Sequence, residues 1–216
     1  MVRGKERNKF GKLINLVGSL LLTLAVFFGL LTFGPAVKEE VRYQVKQSPS
    51  EPVKQLVQKK DLTPKNTNFW IVVPKIDASA PVVADVDPSD KSAYLSALTK
   101  GVAHAAGTSF PGSPGNTYIF AHSTDSFYNV GRYNAVFYLL GKLAKGDTVE
   151  IYYKGEKILY IVREVKTVSA DAVEYLGDLP AQSGLEGNTL TLQTCYPPGT
   201  TLKRLIVIAD QLNKED

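Results

Sequence analysis

The sequence predicts a closed all-β barrel with short helices, exported behind an N-terminal membrane-spanning helix. Three observations predict it. Short runs rich in β-branched and aromatic residues recur from Phe69 to Ala209. Gly, Pro and Asn separate most of them. A single uncharged run of 21 residues, Leu13 to Phe33, stands ahead of them all. The chain has 216 residues, enough for one domain of about 150 residues plus extra segments. A domain of that size can bury a core without disulfides or metals.

The apolar run comes first. At about 1.5 Å per residue it spans roughly 30 Å, the thickness of a bilayer core. A cleaved signal peptide has a shorter apolar region, about 7 to 15 residues, ending at a small-x-small site. Gly34-Pro35-Ala36 is a poor site of that kind because of its proline. The run therefore reads as a retained signal anchor over 13–33. Arg3, Lys5, Arg7, Lys9 and Lys12 precede it, with only Glu6 against them. Positive flanks stay in the cytoplasm, so residues 1–12 form a cytoplasmic tail and the C-terminal bulk lies outside. Without those five bases and one acid, the 25 bases and 21 acids become 20 of each. The exported part is neutral, and its charge gives no case for nucleic-acid binding.

Residues 34–66 are polar, charged and interrupted by Pro49, Pro52 and Pro64. They read as a stalk, with a short helix around Val53 to Lys60. From 67 to 216 the texture is β. Strands are expected at Phe69–Val73, Pro81–Val83, Thr117–Ala121 after a Gly-Asn turn, Asp147–Tyr153, Lys157–Val168, Thr189–Thr194 and Arg204–Ala209. One helix is expected over Ser89–Leu98, where Tyr94, Leu95 and Leu98 share a face and Ser89-Asp90 can cap it. In the strand before Cys195, Leu190 and Leu192 share one face while Thr191, Gln193 and Cys195 take the other.

Cys195 is the only cysteine. Exported proteins use cysteines mostly in pairs, so a single one is either an incidental apolar side chain or a reactive thiol. Its place favours reactivity: it ends a strand on the non-leucine face, just before Tyr196-Pro197-Pro198-Gly199. Arg204 opens the next strand. If the two strands form a hairpin around Gly199-Thr200, Cys195 and Arg204 lie opposite each other on one face. The guanidinium there could favour thiolate and donate to charge developing on a carbonyl oxygen. Taken alone, an arginine at a strand end is usually a solvated one. The two histidines, His104 and His122, are both candidates for proton transfer. His122 follows a strand and enters a loop, which favours it. His104 lies between the helix and a Pro/Gly-rich loop.

TLQTC followed nine residues later by Arg204 resembles the TLxTC…R signature of sortases. The resemblance extends upstream. It includes Val73-Pro74-Lys75-Ile76 with Ala80-Pro81-Val82, and Ala97-Leu98…Gly101-Val102-Ala103-His104. It continues through Pro111-Gly112…Gly115, then Asn116 to His122, and Phe137…Leu143…Gly146-Asp147. It covers about residues 69 to 210. The resemblance implies an eight-stranded barrel and a cysteine transpeptidase. Such an enzyme recognises an LPxTG-like C-terminal signal on an exported protein and forms a thioester at the Thr carbonyl. It then passes the protein to an amine acceptor, a cell-wall precursor or a pilin lysine. Carried over by position, the nucleophile falls on Cys195, the acid/base on His122, the oxyanion arginine on Arg204, and a threonine lining the substrate site on Thr194. His104 matches a second, structural histidine.

Two departures stand out. Ala121 stands where many sortases have glycine, which alters the local backbone, and the stalk lacks the Asp-Pro-aromatic lid motif of pilus-building members. The missing lid motif, the short Cys195-to-Arg204 loop and the lack of an obvious long helix before Thr189 place the chain nearer the small class D/E-like sortases. No dense Asp/Glu cluster calls for a metal, and no cofactor is expected. The rival readings are an exported cysteine hydrolase with the same residues, and a non-catalytic peptide-binding barrel.

Overall fold

The computed structural model describes residues 3–47, 62–123, 136–178 and 187–212. One long helix, α1 (Arg3–Gln47), leads the chain. It runs through the basic tail and the apolar run and on into the expected stalk. The short helix expected near 53–60 lies outside the described residues. Side chains of the apolar run that can be described are exposed, among them Leu20, Leu22 and Phe27. Among the described residues, no helix is long and apolar enough to cross a membrane. At its C-terminal end α1 touches the domain: Glu40 meets Lys142 at 3.2 Å, and the Lys142 ammonium stands 5.4 Å from the centre of the Tyr43 ring.

The domain is a closed barrel of eight strands: β1 (Phe69–Val73), β2 (Ala78–Val86), β3 (Val102–Ala105), β4 (Gly115–Phe120), β5 (Thr148–Tyr153), β6 (Glu156–Ser169), β7 (Asn188–Tyr196) and β8 (Lys203–Gln211). They close in the order β1-β2-β3-β4-β7-β8-β6-β5. Most neighbours are antiparallel, but β2 with β3 and β4 with β7 are parallel. A parallel pair needs a crossover, and α2 (Lys91–Lys100) supplies the first one. The Asp90 carboxylate caps it, accepting from the Ser92 and Ala93 N–H groups at 2.8 and 3.1 Å. The alternation read from sequence sets the inside. Ile71, Val73, Ile119, Leu190, Leu192 and Val207 are fully buried on the inner face. Full burial of each such side chain contributes about 1.5–3 kcal/mol.

Two details differ from expectation. β2 spans Ala78–Val86 rather than three residues, with a register shift between Val83 and Val86 and Asp85 at φ 52°. β3 was not expected as a strand, and it carries His104 into the core with no exposed surface.

Candidate active site

β7 lies between β4 and β8, and each of these three strands delivers one chemical group to the same end of the barrel. Cys195 stands directly opposite Arg204 in the β7–β8 register, as the hairpin reading required. Gly199, at φ 80°, turns the connection, and the Thr200 N–H donates back to the Pro197 carbonyl at 3.0 Å. Glycine tolerates this left-handed backbone without strain. His122 follows the end of β4. All three line one open cleft of 340 Å³. Tyr118, Phe120 and Gln193 also line it, together with Tyr94 and Leu98 of α2, and Val173 and Leu176 of a 3-10 turn after β6.

The strand ends are tied together. The Ala121 N–H donates to the Gln193 carbonyl at 3.1 Å, and the Thr194 hydroxyl donates to the Ala121 carbonyl at 3.0 Å. The residue before the histidine is thus bonded to the residue before the cysteine. Thr194 itself is buried, sharing the inner face with Leu190 and Leu192. It lines a neighbouring cavity of 320 Å³ with Tyr138 and Leu205 rather than the cleft of His122 and Arg204.

Electrostatics at the cysteine pull two ways. Burial pushes the Cys195 thiol up, and the Arg204 guanidinium opposite draws it partly back down. The net shift is upward, so the thiol form predominates at neutral pH. The guanidinium is held from behind: its Nη1 donates to the Thr201 and Lys203 carbonyls at 3.1 and 3.2 Å. Nε and Nη2 take no part in those two bonds, and their donors can serve the cleft. Below the cysteine, the Tyr118 phenol donates to Gln193 Oε1 at 2.6 Å, and burial raises its pKa well above the usual range.

His104 is placed apart from this cleft, in the core. Its Nε2 lies 3.2 Å from the Ser109 carbonyl and 3.0 Å from the Thr108 hydroxyl, and Nδ1 accepts from the Asp85 N–H at 3.4 Å. Its ring stacks on Phe110 at 4.6 Å. Burial lowers its pKa, so the ring is neutral there. Among the described residues no cluster of three or more His, Cys, Asp or Glu could hold a metal ion.

A sortase-domain family model matches residues 71–212 of the chain. The chain belongs to the sortase family. Solved sortases of several classes resemble it. A pilus-related sortase C of Group B Streptococcus is 31% identical, with 71% of each chain covered and a TM-score of 0.55. A sortase E variant from Streptomyces avermitilis is 25% identical, covering 70% of this chain and 91% of that one at 0.53. A sortase D5 transpeptidase of Clostridium perfringens shares the fold at 23% identity, covering 81% and 95% at 0.53. No curated relative matches the sequence. The likeness spreads over classes A, C, D and E alike. Members of the sortase family are cysteine transpeptidases, and this sortase is one by its family.

Sequence reasoning missed Tyr118 and Gln193 as cleft residues. The signal was present: both lie on the Cys195 face of paired strands, Tyr118 opposite Thr191 and Phe120 opposite Gln193.

Proposed function

We propose that this sortase cleaves an LPxTG-like sorting signal between Thr and Gly and transfers the protein to an amine acceptor. The observation that carries the reading is the register pairing of Cys195 with Arg204 in a cleft that His122 also lines. The Cys195 thiolate attacks the threonine carbonyl carbon, and the oxygen takes up negative charge. Arg204 donates to that oxygen. His122, as imidazolium, gives its proton to the leaving glycine nitrogen as the C–N bond breaks, leaving a thioester on Cys195. The incoming amine attacks the thioester, loses a proton to the now neutral His122, and expels the thiolate. The upward shift of the thiol fits a scheme in which a minority of molecules carry thiolate and imidazolium together, with coupled titrations.

The acceptor is a cell-wall precursor or a pilin lysine, and the donors are exported proteins. Leu13 to Phe33 anchors the enzyme in the cytoplasmic membrane with the barrel outside. The uncharged length of the run, its basic N-terminal flank and the exposure of its described leucines support that topology. Mass spectrometry tests the chemistry. Incubation with LPxTG peptides and a panel of amines should give an acyl adduct on Cys195 and an amide product. Cys195→Ala should give neither. An adduct that passes only to water would replace the transpeptidase reading with a hydrolase, and labelling at another residue would end the assignment of Cys195.

A further inference from the structure

Asn116 sits on the outer face of β4, on the side that Tyr118 and Phe120 share with the cleft. It has almost no exposed surface. Its Nδ2 donates to the Tyr175 and Gly177 carbonyls at 2.8 and 3.1 Å. Its Oδ1 accepts from the Thr189 and Thr191 hydroxyls at 3.2 and 2.9 Å. Carbonyl oxygens only accept, so the amide has one orientation and every side-chain donor and acceptor is used. The Asn116 N–H adds a bond to Asp178 Oδ1 at 3.1 Å.

These bonds join two different parts of the site. Thr189 and Thr191 belong to β7, the strand that ends in Cys195. Tyr175 and Gly177 belong to and follow the 3-10 turn Val173–Leu176, whose Val173 and Leu176 form one wall of the cleft. That turn has no side-chain cap and buries none of its own residues, and Val173 is 69% exposed. Tyr175 and Leu176 pack half-buried against the core, but Val173 and Gly177 at the two ends of the wall are exposed, so the bonds to Asn116 hold its backbone to the barrel. We infer that Asn116 is a positioning residue for donor recognition, clipping the 173–177 wall to the floor of the cleft. The inference rests on the reading above, in which the donor peptide lies along this cleft.

Asn116→Asp separates the two halves of the clip. A carboxylate still accepts from Thr189 and Thr191, but it sets oxygen against the two wall carbonyls in place of donors. In the full-length enzyme in detergent, KM for a fluorogenic Leu-Pro-x-Thr-Gly peptide should rise at least ~10-fold, with kcat within about 2-fold of wild type. Alkylation of Cys195 by iodoacetamide should not change. Thr191→Val, which removes a bond on the barrel side only, should lower Tm and leave KM alone. A folded Asn116→Asp enzyme with wild-type KM overturns the inference. If that variant fails to fold, Asp178→Ala takes its place, and its KM must rise in the same direction or the clip is refuted. If the wild type does not turn the peptide over, the functional reading fails and the clip is still tested. Amides 173–177 must then exchange faster in Asn116→Asp than in wild type, and equal exchange rules the clip out.

Discussion

Replacing Arg204 with alanine tests the electrostatics of the site directly. In the proposed chemistry its guanidinium meets the charge that develops on the threonine carbonyl oxygen. The Thr201 and Lys203 carbonyls fix Nη1, so the remaining donors are already aimed and lose little freedom when substrate arrives. Removing one such donor generally costs about 10²–10³ in kcat, or about 2.7–4 kcal/mol. Arg204 is only half-buried and the cleft is open, so water screens part of the effect and the low end applies, about 10²-fold. Loss of the guanidinium also removes the influence that draws the Cys195 thiol down, so its pKa moves further up. Alkylation by iodoacetamide at pH 7 should therefore slow. Folding should hardly notice, because the carbonyls released from Nη1 turn to solvent, and Tm should fall by only a degree or two (about 0.5 kcal/mol or less). Arg204→Lys, a single charge without the fork, should recover part of the rate. The assays are peptide cleavage by chromatography, alkylation against pH, and a thermal melt. An Arg204→Ala enzyme within about 3-fold of wild type in kcat/KM, or one that alkylates faster, would refute the reasoning.

Three further outcomes are expected. His122→Ala should lower kcat by about 10²–10⁴-fold without changing Tm, as judged by turnover and melting on the same preparation. His104→Ala should do the reverse, costing about 2–4 kcal/mol in denaturant unfolding while activity per folded molecule stays near wild type. The same histidine makes stability depend on pH. Its folded pKa lies below the unfolded value, so its contribution is complete above about pH 6.5 and is lost as pH falls towards the folded pKa. Protonation would put a second donor against the Asp85 N–H, with the Asp85 carboxylate at 3.9 Å as partial compensation. Urea midpoints should fall with pH across that window for wild type and change little for His104→Ala. Thr194→Val should keep the fold and lower kcat/KM by about 10-fold, since the bond to the Ala121 carbonyl holds the cysteine strand against the histidine strand.

Strands with clean alternation were legible from residues alone, and the site came with them. Leu190 and Leu192 point inward, which turns Cys195 out, and pairing across the hairpin brings Arg204 opposite. The same alternation places Thr194 inside with the leucines, so its burial was also readable from the pattern. β3 was not legible: its four residues, Val102–Ala105, are all buried and so show no alternation, and one of its partners, the parallel β2, lies on the far side of α2. β2 was underestimated because Pro81 and the positive φ of Asp85 break its local signature, while pairing with Trp70 and the parallel β3 keeps it extended. Asn116 read as half of a Gly-Asn turn. Its partners lie 59 to 75 residues away, and no local window holds that information.

The order β4-β7-β8 has a consequence for how the enzyme can change over evolution. The reactive groups are neighbours across the hydrogen-bond ladder, so their lateral separation is set by a strand spacing of about 4.8 Å, a constant of all sheets. Residues 197–202 can therefore lengthen, shorten or change composition without moving the cysteine from the arginine, provided the ladder keeps its register. A slip of one residue would instead turn the sulfur into the leucine core. Selection on partner choice is thus free to act on the connecting loops while the chemistry stays indexed to the barrel wall.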